Sequence, residues 1–241
     1  MKRAAALIAA LMLVLSGCSA GSAPSAPPES SGPPQTEAPS ASPTQGEAQS
    51  QAPIQSGNVL IAYFTVPEDV ETDGVDAVAG ASIVVSEGEK LGNTEYVARL
   101  IQQTVGGELF RIETVQPYPL DHDPLVDQAS EEKAASARPE LSAHVENMDQ
   151  YDTILLGYPN WWGDLPMPLY TFLEEYDLAG KTIIPFITHG GSRASRTVET
   201  IAGLQTDAQV WDDPLVLSRN DVASSADQVT SWAEGLGLTN Q

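Results

Sequence analysis

Apolar runs alternate with amphipathic stretches between residues 58 and 238, and this alternation predicts the fold class. The first run, NVLIAYF at residues 58–64, is apolar at nearly every position, which is typical of a strand buried on both faces. Further strands are predicted at residues 108–115, 153–157 and 181–188, with a short strand within residues 210–217. Such runs, separated by amphipathic segments, indicate an α/β domain with a mostly parallel sheet.

The segments between these runs have helical periodicity. Apolar side chains recur every three or four positions in residues 93–105, and Gly106 ends the pattern. Asn93 or Thr94 is the expected N-cap of this helix. Further helices are predicted at residues 123–137, 167–176, 195–204 and 221–236. Strands alternating with helices predict a doubly wound sandwich, in which ligands bind beyond the carboxyl ends of the strands.

Charge and cysteine content narrow the range of functions. The formal net charge of the 241 residues is −22, so the chain is repelled by nucleic acid, and we expect no nucleic-acid partner. The acidity could steer the protein towards a basic partner, or it could only maintain solubility. Cys18 is the single cysteine, and no disulfide can therefore form within the chain.

The first residues are typical of a secretory signal. A basic start precedes an apolar run at residues 4–15, which is too short to span a bilayer as a stable helix. The sequence LSGC that follows resembles a bacterial lipoprotein signal, in which Cys18 is lipidated and becomes the new N-terminus. Residues 1–18 are therefore predicted to be this signal, and the protein to be lipid-anchored on the extracytoplasmic face of the cell membrane. The alternative is an ordinary secretory signal with an incidental cysteine.

Residues 19–57 are predicted to be a disordered linker. They are rich in Ser, Pro, Ala, Gln and Gly and have few large apolar side chains. Such a segment cannot bury enough surface to offset the loss of chain entropy on folding. We expect the linker to hold a single domain, residues 58–238, away from the membrane surface.

The first of three candidate ligand loops begins where the first strand ends. Thr65 follows this strand, and Gly92, Asn93 and Thr94 open the next helix. Small residues, hydroxyl groups and the amides of a helix start are suited to binding phosphate. Taken alone, the three residues could also be a simple helix cap.

The second loop contains two adjacent tryptophans at the exit of a strand. Its sequence after Tyr158 continues with Pro159, Asn160, Trp161, Trp162 and Gly163. Neighbouring residues of an extended loop point in different directions, so we expect at least one indole to face the cleft. A large flat ring there is suited to stacking on a flat heterocycle, and glycine lets a ligand approach the backbone. The alternative is a tryptophan lid that packs on the protein itself.

The third loop follows the fourth strand. Its residues are Thr188, His189, Gly190, Gly191 and Ser192. Glycines expose backbone amides to a ligand edge and permit unusual dihedral angles. His189 could donate a hydrogen bond to a ligand or bind an anion, or it could be a structural histidine.

Together, the strand at residues 58–64 and these three loops resemble the flavodoxin family, and most of all its bacterial branch with a Trp-Trp-Gly loop. The resemblance covers essentially the whole domain, with the loops in the right order. It implies a five-stranded parallel sheet of order 2-1-3-4-5 in a three-layer sandwich, and FMN bound at the loops. Thr65, Asn93 and Thr94 would hold the phosphate, Trp161 or Trp162 would stack on the isoalloxazine ring, and residues 188–192 would line its other side.

Residues 66–91 depart from the family, because they interrupt the phosphate loop. Within them, DAVAGAS at residues 76–82 resembles the acceptor motif of bacterial FMN transferases, in which a hydroxyl group is joined to the FMN phosphate as a phosphoester. By position the acceptor is Ser82, although Ala79 replaces the usual Ser or Thr. The alternatives are non-covalent FMN and a chance match of a short motif.

A second departure follows the third loop, where Arg193 replaces a glycine that the family often has. Arg193 could pair with a phosphate or a substrate carboxylate, or be a solvated charge.

Asp164, if close to the ring, would lower its reduction potential. Asp121, His122 and Asp123 are adjacent and cannot easily converge on one metal ion, which favours a structured loop.

The leading hypothesis is an extracytoplasmic, membrane-tethered electron carrier with FMN as cofactor, since the protein tunes redox chemistry that the flavin supplies. A second hypothesis is an FMN-dependent reductase of quinones or small molecules that uses NAD(P)H. A third is a surface binding module with a decayed flavin site. The redox partner, a protein or a quinone, is not identified by the sequence, and no catalytic residues are predicted.

Overall fold

The computed structural model describes residues 58–238, so the predicted signal and linker at residues 1–57 lie outside the described residues, as do residues 239–241. The strands are β1 (Asn58–Tyr63), β2 (Ala77–Val78), β3 (Ile83–Ser86), β4 (Glu89–Gly92), β5 (Glu108–Arg111), β6 (Tyr151–Pro159), β7 (Thr182–His189), β8 (Gln209–Val210) and β9 (Leu215–Ser218). The helices are α1 (Asn93–Val105), α2 (His122–Ala135), α3 (Met167–Glu175), α4 (Thr197–Leu204) and α5 (Ala226–Gly235).

A parallel sheet forms the centre of this domain. Its strands lie in the order β5-β1-β6-β7, and β8 and β9 both pair with β7. The predicted fold class and the order 2-1-3-4-5 are therefore confirmed, with the fifth strand divided into two short segments. The division falls at residues 211–214, where Pro214 lacks the N–H group that a continuous ladder needs.

The long apolar run of β1 is explained by two cores, one on each face of the sheet. Leu60, Ala62 and Phe64 lie in one cluster, and Val59 and Ile61 lie in the other. Successive side chains of a strand point to opposite faces, so a strand in the middle of a doubly covered sheet has to be apolar throughout.

The end of the second strand and the N-cap of α1 differ from the prediction. The second strand was expected to reach residue 115 but ends at Arg111, since β5 is the edge of the sheet and its terminal residues are exposed. Helix α1 has the predicted bounds, but its N-cap position is Gly92, without a side-chain capping hydrogen bond. The Asn93 side chain is thus not used as a cap.

The segment at residues 66–91 folds onto the domain as a small antiparallel sheet. Strands β2, β3 and β4 pair in that order, with Ile83 opposite Gly92. Ile83 and Val84 are buried. This second sheet was missed by the sequence analysis because its strands have only two to four residues each.

No helix within residues 58–238 is long and apolar enough to cross a membrane.

A substitution at Gly157 in β6 tests how tightly this strand packs against the Phe186 side chain of β7. A Cβ atom at this position would lie 2.1 Å from Cζ of Phe186, which is fully buried. We expect Gly157→Ala to lower the free energy of unfolding by about 1–3 kcal/mol, measured by urea denaturation. The control is Gly203→Ala in α4, where nothing lies within 4 Å; it should raise stability by roughly 0.5–1 kcal/mol. Equal effects of the two substitutions would contradict the packing described here.

Candidate functional site

The carboxyl ends of β1, β6 and β7 open into one cleft with an empty volume of about 910 Å³, part of it open to solvent. The predicted site residues that line it are Thr65, Ser82, Asn93, Thr94, Pro159, Asn160, Trp161, Trp162, Thr188, His189 and Gly190. The remaining predicted residues, Gly92, Gly163, Gly191 and Ser192, are not part of its lining. The three loops therefore converge at the edge of the sheet where a ligand of this fold is expected.

The two halves of the first loop meet in space although residues 66–91 separate them in sequence. A Cβ atom at Gly92 would lie 2.1 Å from Oγ1 of Thr65, so only glycine permits this approach. The hairpin of β3 and β4 returns the chain to the end of β1 and places α1 directly above it. The insertion interrupts the sequence of the loop but not its geometry.

Asn93 is the least satisfied polar residue of the cleft. Its side chain is 2% exposed, and neither Oδ1 nor Nδ2 has a hydrogen-bond partner. Buried polar groups are almost always paired, and an unpaired one costs about 1–3 kcal/mol. A ligand bound at the start of this helix could supply the missing partners.

Ser82 lies beside Asn93, at the end of a short turn of small residues. Its carbonyl accepts a hydrogen bond from the Asn93 N–H at 2.8 Å. Its backbone is left-handed, with φ 57° and ψ 41°. The motif at residues 76–82 thus places a hydroxyl-bearing residue in the cleft at the N-terminus of α1.

Trp161 and Trp162 lie in one tight turn but differ in their exposure to solvent. Trp161 and Asp164 exchange backbone hydrogen bonds of 3.1 and 3.0 Å, and Trp162 and Gly163 both have positive φ. These features are those of a type I′ turn, which favours glycine and strains a tryptophan. Trp162 is 57% exposed, whereas Trp161 packs edge-on against Phe64 with ring centroids 5.3 Å apart. The exposed indole available for stacking is therefore Trp162.

Asp164 does not line the cleft, contrary to expectation. Its Oδ1 accepts hydrogen bonds from the Tyr170 hydroxyl and the Leu165 N–H, both at 2.9 Å. Its Oδ2 lies 3.6 Å from Nζ of Lys133. The carboxylate stabilises the base of the turn, a role that its position in the loop sequence did not reveal.

The third loop is joined to both of the others. The hydroxyl oxygens of Thr188 and Thr94 lie 3.0 Å apart, and the Thr188 carbonyl accepts a hydrogen bond from the Asn160 N–H. Nδ1 of His189 accepts a hydrogen bond from the Gly191 N–H at 2.9 Å. Burial lowers the pKa of His189, and the charge of Arg193 lowers it further. Because Nδ1 accepts this hydrogen bond, Nε2 carries the N–H of the neutral ring.

Sequence reasoning missed a carboxylate–imidazole pair on the cleft wall. Nδ1 of His122, the first residue of α2, lies 2.8 Å from Oε1 of Glu68. Both residues line the cleft. His122 was considered only as a metal ligand, and within residues 58–238 no group of three or more His, Cys, Asp or Glu side chains could hold a metal ion. Nothing in the sequence indicated that residue 68 would approach residue 122.

A second missed residue is Arg219, which follows β9. Its N–H donates to the His189 carbonyl at 2.8 Å, and its Nη1 donates to the Gly80 carbonyl at 3.3 Å. Arg219 lines the cleft, whereas Arg193, the arginine considered from the sequence, does not. A lone arginine after a short strand carries no sequence signal for such a position.

A family model described as Flavodoxin matches residues 82–236, which is more than half of the chain. The chain belongs to the flavodoxin family. No curated protein matches this flavodoxin-family chain.

Several solved structures resemble this flavodoxin-family domain. A protein described as a flavoprotein from Bacteroides uniformis is 26% identical, with 75% of this chain and 99% of that one covered and a TM-score of 0.54. The corresponding protein from Bacteroides eggerthii is also 26% identical, with 72% and 98% covered and a TM-score of 0.52. A flavoprotein from Lactobacillus acidophilus in complex with FMN is 20% identical, with 72% and 99% covered and a TM-score of 0.48.

The Glu68–His122 pair of this flavodoxin domain predicts a measurable titration. The hydrogen bond and charge of Glu68 raise the pKa of His122 above its usual 6.5, against smaller opposing effects of burial and of the Arg219 charge. The stabilisation from this pair is therefore fully present below pH 6.5 and is lost as the pH rises through the folded-state pKa.

We expect the NMR titration of His122 to have a midpoint above 6.5 and Glu68→Gln to return it towards that value. Asp123→Asn, which removes a weaker contribution, should change the midpoint less. A His122 midpoint that does not respond to Glu68→Gln would contradict the pairing.

Proposed function

We propose that the cleft binds FMN and that the domain is an electron carrier tethered to the extracytoplasmic face of the membrane. FMN is the cofactor that membership of the flavodoxin family supports. The observation that carries the proposal is the buried, unpartnered side chain of Asn93 at the convergence of the three loops. When bound, FMN supplies the redox chemistry, and the protein supplies binding, orientation and electrostatics.

The phosphate end of the ligand fits the start of α1. Phosphate favours helix N-termini because the backbone N–H groups and the helix dipole both attract an anion. The Asn93 Nδ2 amide and the Thr94 hydroxyl line the cleft there and are able to donate hydrogen bonds to phosphate oxygens. Thr65, held against Gly92, supplies another hydroxyl. A phosphate oxygen would accept the bond that the Asn93 Nδ2 amide otherwise lacks.

The ring end fits the second and third loops. The exposed indole of Trp162 offers a flat apolar face for an isoalloxazine, and a rigid turn holds it in place. Neutral His189 offers its Nε2–H group as a donor from the opposite loop. Stacking on an aromatic ring and burial from water disfavour the electron-rich reduced ring, which suits a carrier of low reduction potential.

Covalent attachment at Ser82 is the second part of the proposal. Ser82 lines the cleft next to Asn93, where the phosphate is expected. The Ser82 oxygen would form a bond to phosphorus while the pyrophosphate bond of a flavin dinucleotide breaks and a nucleotide monophosphate leaves. A separate transferase would bind the donor and accept the serine proton. A tether would prevent the loss of a cofactor that is hard to replace outside the cytosol.

Membrane tethering is the third part of the proposal and depends on residues 1–57. Lipidation of Cys18 would provide the anchor, and the linker at residues 19–57 would let the domain reach a redox partner at the membrane surface. The partner would be a protein or a quinone, and a net charge of −22 favours a basic docking surface on a protein partner.

The Ser82 assignment is tested by mass spectrometry on protein from the membrane fraction of a native-like host. We expect the denatured chain to retain flavin fluorescence and the peptide that contains Ser82 to carry the mass of FMN. Ser82→Ala should abolish the adduct, whereas Ser86→Ala, a control in β3 outside the cleft, should retain it. Flavin released on denaturation would support the non-covalent site and contradict attachment.

The substitution Asn93→Ala distinguishes a role of Asn93 in FMN binding from a role in the stability of the fold. In the flavin-free chain this substitution removes a buried amide without partners, so we expect no loss in the free energy of unfolding. FMN affinity should fall about 10–100-fold, because a hydrogen bond to a charged group is lost. Fluorescence titration measures the affinity. The control is Asn58→Ala at the opposite end of β1, where the amide donates to the Gln150 carbonyl; it should leave FMN affinity unchanged. Strong destabilisation by Asn93→Ala would contradict a ligand role.

A reductase is the second candidate function, favoured by the Glu68–His122 pair. An imidazole held by a carboxylate on the cleft wall is able to deliver a proton to a reduced substrate. Steady oxidation of NAD(P)H by the FMN-loaded chain with a quinone, reduced at least about tenfold in His122→Gln, would favour this function over a carrier. Absence of NAD(P)H oxidation would leave the carrier as the better account.

A further inference from the structure

Arg219 connects three parts of the cleft that are distant in sequence. Ser218, the last residue of β9, pairs with His189 at the end of β7, so Arg219 emerges beside the third loop. Its side chain then reaches the insertion, where Nη1 donates to the Gly80 carbonyl at 3.3 Å. Gly80 is two residues before Ser82. The guanidinium is therefore held next to the turn that approaches the N-terminus of α1.

The Arg219 side chain lies against the glycine backbone of the third loop. A Cβ atom at Gly190 would lie 3.4 Å from both Cζ and Nε of Arg219. The guanidinium thus packs along the backbone of the third loop while it contacts the insertion on its other side. The His189 carbonyl holds the backbone of Arg219, while the Gly190 backbone and the Gly80 carbonyl contact its side chain. These contacts would hold the guanidinium in place before a ligand arrives.

In the described part of the chain, the charge of Arg219 is not paired with a carboxylate. Among the described residues, it forms no salt bridge with a carboxylate within 4.0 Å, although the protein has a net charge of −22. Within the described residues 58–238, the cleft lining contains one lysine or arginine, and this residue is Arg219. An arginine without a carboxylate partner, at the edge of a cleft, keeps guanidinium donors available for an anion.

A second observation indicates where that anion sits. The Asn93 side chain, 2% exposed and without a partner for either polar atom, lines the same cleft at the start of the 13-residue helix α1. Asn93 and Arg219 are connected through the insertion, because the Asn93 N–H donates to the Ser82 carbonyl and Arg219 donates to that of Gly80. An anion at the helix start would be bordered by both residues.

We propose that Arg219 is the cationic ligand of the flavin phosphate, an inference that rests on the FMN-binding function proposed above. The helix N-terminus and Asn93 supply neutral donors, and Arg219 supplies a full positive charge from the far side of the insertion. By contacting Gly80, Arg219 also holds the turn that carries Ser82 beside the phosphate. In this chain the insertion and the residue after the last strand therefore complete the phosphate site.

The test compares FMN with riboflavin, which has the same ring but no phosphate. Affinities of both flavins are measured by fluorescence titration on the full chain, prepared without flavin and with Ser82 shown by mass to be unmodified. We expect Arg219→Gln to weaken FMN binding at least about tenfold, because charge-assisted hydrogen bonds are lost, and to leave riboflavin binding unchanged. Arg219→Lys, which keeps the charge but loses the planar guanidinium, should have an intermediate effect.

The matched control is Arg196→Gln, which removes the same charge from an exposed position outside the cleft. It should change neither affinity. Equal weakening of FMN and riboflavin by Arg219→Gln would show a purely structural role and overturn the proposal. Unchanged FMN binding would also overturn it while leaving the FMN function intact. A wild-type chain that binds neither flavin would instead overturn the proposed function itself, and this proposal with it.

Discussion

The close approach of Gly92 to Thr65 is the constraint on which the candidate site depends. A Cβ atom at Gly92 would lie 2.1 Å from Oγ1 of Thr65, so the contact is possible only with glycine. It closes the gap that residues 66–91 open in the first loop and fixes the start of α1 above the end of β1. Because Asn93 follows Gly92 directly, the same contact also determines where the unpartnered amide lies.

The insertion, residues 66–91, forms one side of the cleft. Its hairpin of β3 and β4 returns the chain to α1, and its turn of small residues is held from two directions, by the Asn93 N–H and by Arg219. The described residues offer the buried Asn93 side chain no hydrogen-bond partner, and an unpaired buried amide costs about 1–3 kcal/mol. The proposed ligand site would account for a buried polar group that the protein alone leaves unpaired.

Local patterns predicted most of the fold and the lining of the cleft. The strands β1, β6 and β7 are continuous apolar runs, and α1 has strict helical spacing, so their identities follow from the sequence alone. The loops after these strands were located by the rule that parallel strands end at one edge of the sheet. The short strands of the insertion, with two to four residues each, carry too little pattern to be recognised. The positions of His122 and Arg219 depend on tertiary contacts across the insertion, which no local pattern encodes.

A crystal structure of the chain with FMN bound tests the central claim most directly. The account predicts electron density for the phosphate at the N-terminus of α1, within hydrogen-bonding distance of the Asn93 side chain and the Arg219 guanidinium, with the ring beside Trp162. A continuous connection to Ser82 in protein from the native-like host would add the covalent attachment. Density for FMN at another surface, or a phosphate that contacts neither Asn93 nor Arg219, would contradict it.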